Sequence, residues 1–184
     1  MSAVRLFVLS ALAEHGPMHG HQIRHQAQSD RAEVWTEVKV GALYGALKRL
    51  AGEGLIAELR SERRGNLPER TVYEITDHGR EALAAVHDEA LRTVVFRPDP
   101  FDLALVHAGE MDEQELAHAI ADRRDALAVR ERALRHQVES ADQWLTEAER
   151  VVMRHGLARL ATEVAWHHEL LDRLPKIVAD FRKA

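Results

Sequence analysis

The chain has 184 residues, 46% of them hydrophobic and 30% charged, with a formal net charge of −5 and no cysteine. That is enough apolar material for a core, and it excludes disulfides, thiolate metal sites and cysteine nucleophiles. The acidity is uneven: residues 1–80 hold eleven Lys/Arg against ten Asp/Glu, and residues 81–184 fourteen against twenty, so a basic surface is compatible with the first part alone.

Near the start, the apolar stretch from Val4 to Ala13 is interrupted by Arg5 and lacks a small-residue cleavage site. No apolar run reaches the roughly 18–20 residues that span a bilayer, so a cytoplasmic protein is expected. Val4, Phe7, Val8 and Leu12 recur at helical spacing, widened by Leu6 and Leu9, and Gly16-Pro17 stops the pattern; this predicts a buried helix over 3–14. A second helix is predicted from about Gly20 to Arg31, with Ile23 and Ala27 inward and His, Gln and Arg outward. The third, Val40 to Glu53, has an inward row of Leu43, Leu47 and Leu50 flanked by Val40 and Ala46. Its end, Gly54 followed by Leu55, fits a Schellman cap.

LIAELRSE and RTVYEI read as the two strands of a hairpin, with Thr71, Tyr73 and Ile75 on one face and Val72 and Glu74 on the other. The connecting RRGNLPE is long for a tight turn. With Arg63, Arg64, Asn66 and the neighbouring Arg70 it reads as a protruding basic arm. Thr76 is the expected N-cap of a fourth helix running to about Val95.

The two prolines of RPDPFD mark a boundary between a domain over 1–96 and another over 97–184. Beyond it, a short helix is predicted from Phe101 to His107. A long one follows, capped by Asp112 with Glu115 and carrying the seam Leu116, Ile120, Leu127, Leu134 and Val138. After a pause at Ala141 to Leu145, Thr146 and Glu149 have capping-box spacing. Leu157, Leu160, Val164, His167, Leu171, Leu174, Val178 and Phe181 then alternate at steps of three and four past Pro175. Two long helices with narrow seams read as an antiparallel pair with too little core of its own. A homodimer is therefore expected, built on Leu157, Leu160, Val164, Leu171, Leu174, Val178 and Phe181.

The predicted fold class is mainly α: an N-terminal winged helix-turn-helix, three helices plus a two-stranded wing, with a C-terminal helical dimerisation region. In that order of elements the third helix is the recognition helix. At about 100° per residue, Gly41, Gly45, Lys48 and Gly52 lie opposite its leucine row, with Tyr44 and Arg49 on the shoulders. Glycines in a helix are costly, by about 1 kcal/mol each against alanine, and their use here is a slim face that lets backbone approach a major groove. Lys48 would reach a guanine edge or phosphate, Tyr44 and Arg49 the backbone, and the wing arginines phosphates or a narrow minor groove, with Lys39 a further DNA-binding candidate. A lone Lys-Arg pair is ordinarily the solvated side of a helix. It is the coincidence of glycine face, capped helix and basic arm that points to DNA.

VKVGALYGALKRLAGEGLI, followed by the hairpin and TVYEITDHGREAL, resembles the PadR family of bacterial transcriptional regulators, and HGHQI resembles that family's second-helix opening. The resemblance covers residues 3–90 closely and the rest by architecture. It implies Tyr44, Lys48 and the wing arginines as DNA contacts and Leu43, Leu47, Leu50 and Tyr73 as core. It also implies a dimer through C-terminal helices, usually repression, and in many members release by a small molecule; two recognition helices related by the dimer axis in turn predict an inverted-repeat operator. Ala42, Gly45 and His21 depart from the family's common residues at their positions, so its base preferences do not transfer.

Twelve histidines invite a metal, but His21/His25 and His167-His168 complete no recognised zinc spacing, and no metal or other cofactor is expected. Serine-hydrolase, phosphate-loop and dinucleotide motifs are absent, so no enzyme is expected. Phe96, Phe101, Trp144, Trp166 and His167 are candidates for a pocket taking a small aromatic or lipophilic effector. The other reading of the first domain is a winged-helix docking module, which would not need Lys39, Lys48, Arg49, Arg63, Arg64 and Arg70 to converge.

Overall fold

The computed structural model describes residues 2–29, 40–62, 70–95 and 97–183. Lys39, Arg63, Arg64, Asn66, Phe96 and the expected end of the second helix at Arg31 lie outside the described residues. The chain forms two compact units, Met1–Phe96 and Arg97–Ala184.

The first unit runs α1 (Ala3–His15), β1 (Met18–His19), α2 (Gly20–Ser29), α3 (Val40–Gly52), β2 (Ile56–Glu62), β3 (Arg70–Ile75) and α4 (Asp77–Arg92). The inward rows read from periodicity form its core: Val8, Leu9 and Leu12 of α1, Ile23 and Ala27 of α2, and Leu43, Leu47 and Leu50 of α3 are all buried against Leu55, Ile56 and Ile75. Burial of each Leu, Ile or Val is worth about 1.5–3 kcal/mol, so this row orients α3 and leaves its opposite side to solvent.

The end of α3 is tied to the hairpin by three short-range signals. Gly54 adopts φ 71°, which lets Leu55 N donate to Leu50 O at 3.0 Å and Gly54 N to Ala51 O at 3.0 Å. Thr76 Oγ1 donates to Gly54 O at 2.8 Å and accepts from Gly79 N at 3.0 Å. A Cβ on Gly79 would lie 2.0 Å from the Leu55 carbonyl oxygen, so glycine is required there.

The sheet has three strands, in the order β1-β3-β2, where two were expected. β1 pairs antiparallel with β3, Met18 opposite Tyr73 and His19 opposite Val72. β2 pairs with β3 from Ile56 opposite Ile75 to Glu62 opposite Arg70, with an irregularity between Glu58 and Arg60. β3 is thus central, and Val72, on the face that alternation shares with Glu74, is buried at 2% exposure. α4 ends at Arg92, three residues before the expected Val95.

The second unit comprises α5 (Pro100–Val106), α6 (Glu113–Ala141), a 3-10 turn (Asp142–Trp144) and α7 (Glu147–Phe181). Asp99 caps α5 by accepting from Phe101 N at 2.9 Å, and Asp112 caps α6 by accepting from Gln114 N at 2.8 Å. The capping box of α7 is complete: Glu149 N donates to Thr146 Oγ1 at 3.3 Å and Thr146 N to Glu149 Oε2 at 2.7 Å.

α7 packs along α6, and much of the seam expected to face a second copy serves this pairing. Leu174 and Val178 are buried with Leu116, Ile120 and Ala108, while Leu171 and Phe181 pack at the edge of the same cluster. The inward position falls on Leu170 rather than Leu171. Leu157, Leu160 and Val164 are half-buried. Among the described residues no helix is long and apolar enough to cross a membrane.

Candidate nucleic-acid interface

Gly41, Tyr44, Lys48, Arg49 and Gly52 are exposed on α3 and Gly45 is half-buried. Among the described residues nothing demands these glycines. A Cβ at Gly41 or Gly52 would meet no atom within 4 Å, and one at Gly45 only Arg49 Nη1 at 3.5 Å. The helix therefore carries a flat strip with no steric cause among the described residues.

Lys48 and Arg49 flank that strip, and among the described residues neither has a carboxylate partner. Arg5, by contrast, is paired with Glu53 and Arg60 with Glu62 at 2.7 Å. Arg49 also lines a shallow cleft with Ser2, Arg5 and Glu53. Arg70 is half-buried at the start of β3, opposite Glu62.

Tyr44 is 47% exposed, and its ring lies against the start of α2, where a Cβ on Gly20 would come within 2.8 Å of Cε1. Beyond that contact stand His21 and Arg24, which sequence reasoning weighed as a metal ligand and a surface residue. The available signal was the density of His and Arg in HGHQIRH. No group of three or more His, Asp or Glu side chains among the described residues is placed to hold a metal.

In the second unit the structure gathers three of the five candidate effector residues. The ring centroids of Phe101 and Trp166 are 5.8 Å apart, those of Phe101 and His167 5.3 Å, and those of Trp166 and His167 4.9 Å. Arg123 Cζ stands 4.7 Å over the Phe101 ring, and its guanidinium pairs with Asp99. Fully buried His167 accepts from Arg123 Nε at 3.1 Å, and its Nδ1 lies 2.7 Å from the Glu163 carbonyl. With Nε2 accepting and Nδ1 donating, the imidazole is the neutral Nδ1–H tautomer. The Phe101 N–H and the Arg123 guanidinium hold the Asp99 carboxyl below the usual carboxylate range.

Trp144 does not join this cluster. It sits in the turn before α7, 78% exposed, and the stretch of α7 from Glu147 to Trp166 is roughly 28 Å of helix.

Residues 8–85 match the model of the transcriptional regulator PadR-like family. The first unit is a PadR-like transcriptional regulator domain. The likeness of fold extends beyond that domain. Bacillus subtilis PadR in complex with operator DNA is similar with a TM-score of 0.73 and 22% identity, over 95% of this chain and 98% of that one. The same protein in complex with p-coumaric acid gives 0.71 and 20%, over 95% and 99%. The Vibrio cholerae virulence activator AphA gives 0.60 and 14%, over 98% of each chain. No curated protein sequence matches the chain. In the PadR-like domain the leucine row, the capped end of α3 and the hairpin now account for one another, and the glycine strip with Lys48 is the part that its folding leaves unused.

Proposed function

We propose that the chain is a cytoplasmic, sequence-specific DNA-binding regulator, acting as a homodimer on an inverted-repeat operator, where it represses until a small aromatic or lipophilic effector releases it. The observation that carries the DNA reading is the α3 face: among the described residues, two cations without carboxylate partners stand beside glycines that no contact requires. A helix of that shape suits a major groove, with Lys48 toward base edges and Tyr44 and Arg49 toward phosphates. Lys39, Arg63, Arg64, Asn66 and Arg70 would extend the contact. The test is selection of bound duplexes from random DNA, followed by affinity measurement over a salt series. Log K is expected to fall by about 0.9 per phosphate contacted for each tenfold rise in salt. Salt-insensitive binding, or none, would leave the docking-module reading in its place.

The dimer is supported by apolar surface that the pairing of α6 and α7 leaves open, including Val151 and Val152 at 55% and 49% exposure. A two-fold copy covering it would set two recognition helices about one turn of DNA, ~34 Å, apart. Light scattering on the full chain and on residues 1–96, a unit with its own core, tests this: a dimeric 1–96 fragment with full affinity for the palindrome would overturn it. For release, the Phe101–Trp166–His167 cluster is the proposed effector seat, and a ligand there acts only through differential affinity for the DNA-bound and free states. Titrated aromatic acids should quench Trp166 and weaken DNA binding together.

A further inference from the structure

The first turn of α2 gathers cationic and titratable groups from three elements. His19 ends β1, His21, Arg24 and His25 belong to α2, and Arg70 opens β3. Arg24 Nη2 donates to His21 Nε2 at 3.4 Å, and the Arg24 Nε is buried with no hydrogen-bond partner among the described residues. The rings of His19 and His21 lie 6.1 Å apart, edge to face. This patch is continuous with the α3 face, because the Tyr44 ring closes directly on Gly20, the residue before His21.

The two imidazoles nearest Tyr44 differ in what they are free to do. His19 is committed to the helix end: its Nδ1 accepts from Gln22 N at 3.1 Å, and Gln22 Oε1 accepts from His19 N at 3.0 Å. A proton on that Nδ1 would break the cap. His21 is exposed, and among the described residues its Nε2 holds only the long contact to Arg24. We propose that this patch is a second seat for the DNA backbone, in which His21 as an imidazolium grips a phosphodiester together with Arg24 and Arg70, so that DNA binding takes up a proton. The inference rests on the DNA-binding reading of α3.

Partial desolvation, then the charges of Arg24 and Arg70 and the neighbouring His19 and His25, lower the His21 imidazole from its ordinary value. All of those charged or titratable groups are cations or become cations on protonation, and no carboxylate is among them. Free His21 therefore gives up its proton more readily than an ordinary imidazole. A phosphate placed among these groups reverses the local sign and favours the proton. By linkage, affinity rises as pH falls from above the bound-state value to below the free-state value, by at most about tenfold per pH unit for one proton. Outside that window His21 contributes no slope.

The experiment measures affinity of the full-length protein for its selected duplex by fluorescence anisotropy, from pH 8 to pH 5.5 at constant ionic strength. Wild type should bind several-fold to tenfold tighter per pH unit within the window. His21→Gln should lose that slope, and His21→Lys should bind at pH 8 about as tightly as wild type does in acid, with little further change. Lys48→Ala should weaken binding at every pH and keep the slope. An undiminished slope in His21→Gln, with wild-type binding intact, overturns the patch and leaves the α3 reading standing; no salt-sensitive binding by wild type to any duplex at any pH overturns both. An NMR titration of the His21 ring needs no variant: its midpoint should rise on adding duplex, and an unmoved midpoint also overturns the proposal.

Discussion

Gly45→Ala separates the requirements of folding from those of binding. Gly45 lies within α3, and its added Cβ would meet only Arg49 Nη1, at an ordinary 3.5 Å. Replacing a helix-interior glycine by alanine gains about 0.8–1 kcal/mol. In a unit of 96 residues that gain raises Tm by roughly 4–8 °C. If the strip is the side that enters the major groove, the same methyl group meets a base edge or backbone and costs about 1–3 kcal/mol, as overpacking of a tight contact does. Affinity for the selected duplex should then fall by roughly 5- to 150-fold. Gly41→Ala, with nothing within 4 Å, should behave alike, since it lies one turn away on the same face. The measurements are thermal melting by circular dichroism and anisotropy on a labelled duplex. A variant that is more stable and binds unchanged would refute the idea that the glycines serve close approach. A variant that is less stable would show that the space in front of them is already used.

Lys48→Ala should cost about 1–3 kcal/mol on the selected duplex and less on a scrambled one, whereas Arg70→Ala should weaken both alike and reduce the salt slope by about 1; equal losses for Lys48 on both duplexes would make it a phosphate contact. His167→Leu leaves the Arg123 Nε donor without its acceptor inside the second unit, which should cost about 1–3 kcal/mol in urea unfolding, and His167→Gln, which keeps an acceptor, should cost less; an unchanged midpoint for the leucine variant would refute the structural weight given to this bond. Glu149 is held below the usual carboxylate range by the Thr146 hydroxyl and then the Thr146 N–H, so its contribution to stability is present above the unfolded value of about 4.3 and is lost as pH falls through its lower folded value. The stability difference between wild type and Glu149→Gln should therefore shrink as pH falls below about 4.3, and a difference that does not change with pH in acid would count against the cap as its source.

Signals complete within a few residues were legible in the sequence. The Gly54-Leu55 ending, the Thr76 cap and the Thr146–Glu149 box each join groups close along the chain, so residue type and spacing suffice to read them. The leucine row of α3 was legible because one helix period repeats three times. β1 was not: two residues carry no period, and Gly16-Pro17 before them reads as a plain stop. Alternation put Val72 and Ile75 on opposite faces of β3, and both are buried, so period two gives the faces of a strand without saying what covers each. The α7 seam shows a different gap. Steps of three and four reveal that a helix has an apolar side, but the covering element is a tertiary fact, and α6 takes the Leu174–Val178 end. The DNA-facing candidates on α3 followed from the same periodicity in reverse, as whatever the leucine row leaves outside, and that reasoning stops at the edge of α3. His21 lies on another helix, and only the Tyr44–Gly20 contact brings it into line.

The bonding inside the second unit constrains what the proposed effector would have to do. The polar groups of its aromatic cluster are already matched: Asp99 holds Arg123, Arg123 donates to His167, and His167 Nδ1 bonds the Glu163 carbonyl. A ligand that competed for these bonds would leave a buried donor or acceptor unsatisfied, at about 1–3 kcal/mol for each, and would have to exceed that cost before gaining affinity. The surface open at lower cost is aromatic. Trp166 is 37% exposed and already stands edge-on to Phe101 and His167, at 83° and 87°, so a planar guest adds contact area without breaking the network. Phe101 belongs to α5, which Asp99 caps, and Arg123 to α6, so a guest that displaces the Phe101 ring also removes the surface beneath the Arg123 guanidinium. In the proposed regulator an apolar or aromatic ligand therefore has a physical route to shifting α5 relative to α6 within this unit, and a small polar ion has none of comparable cost.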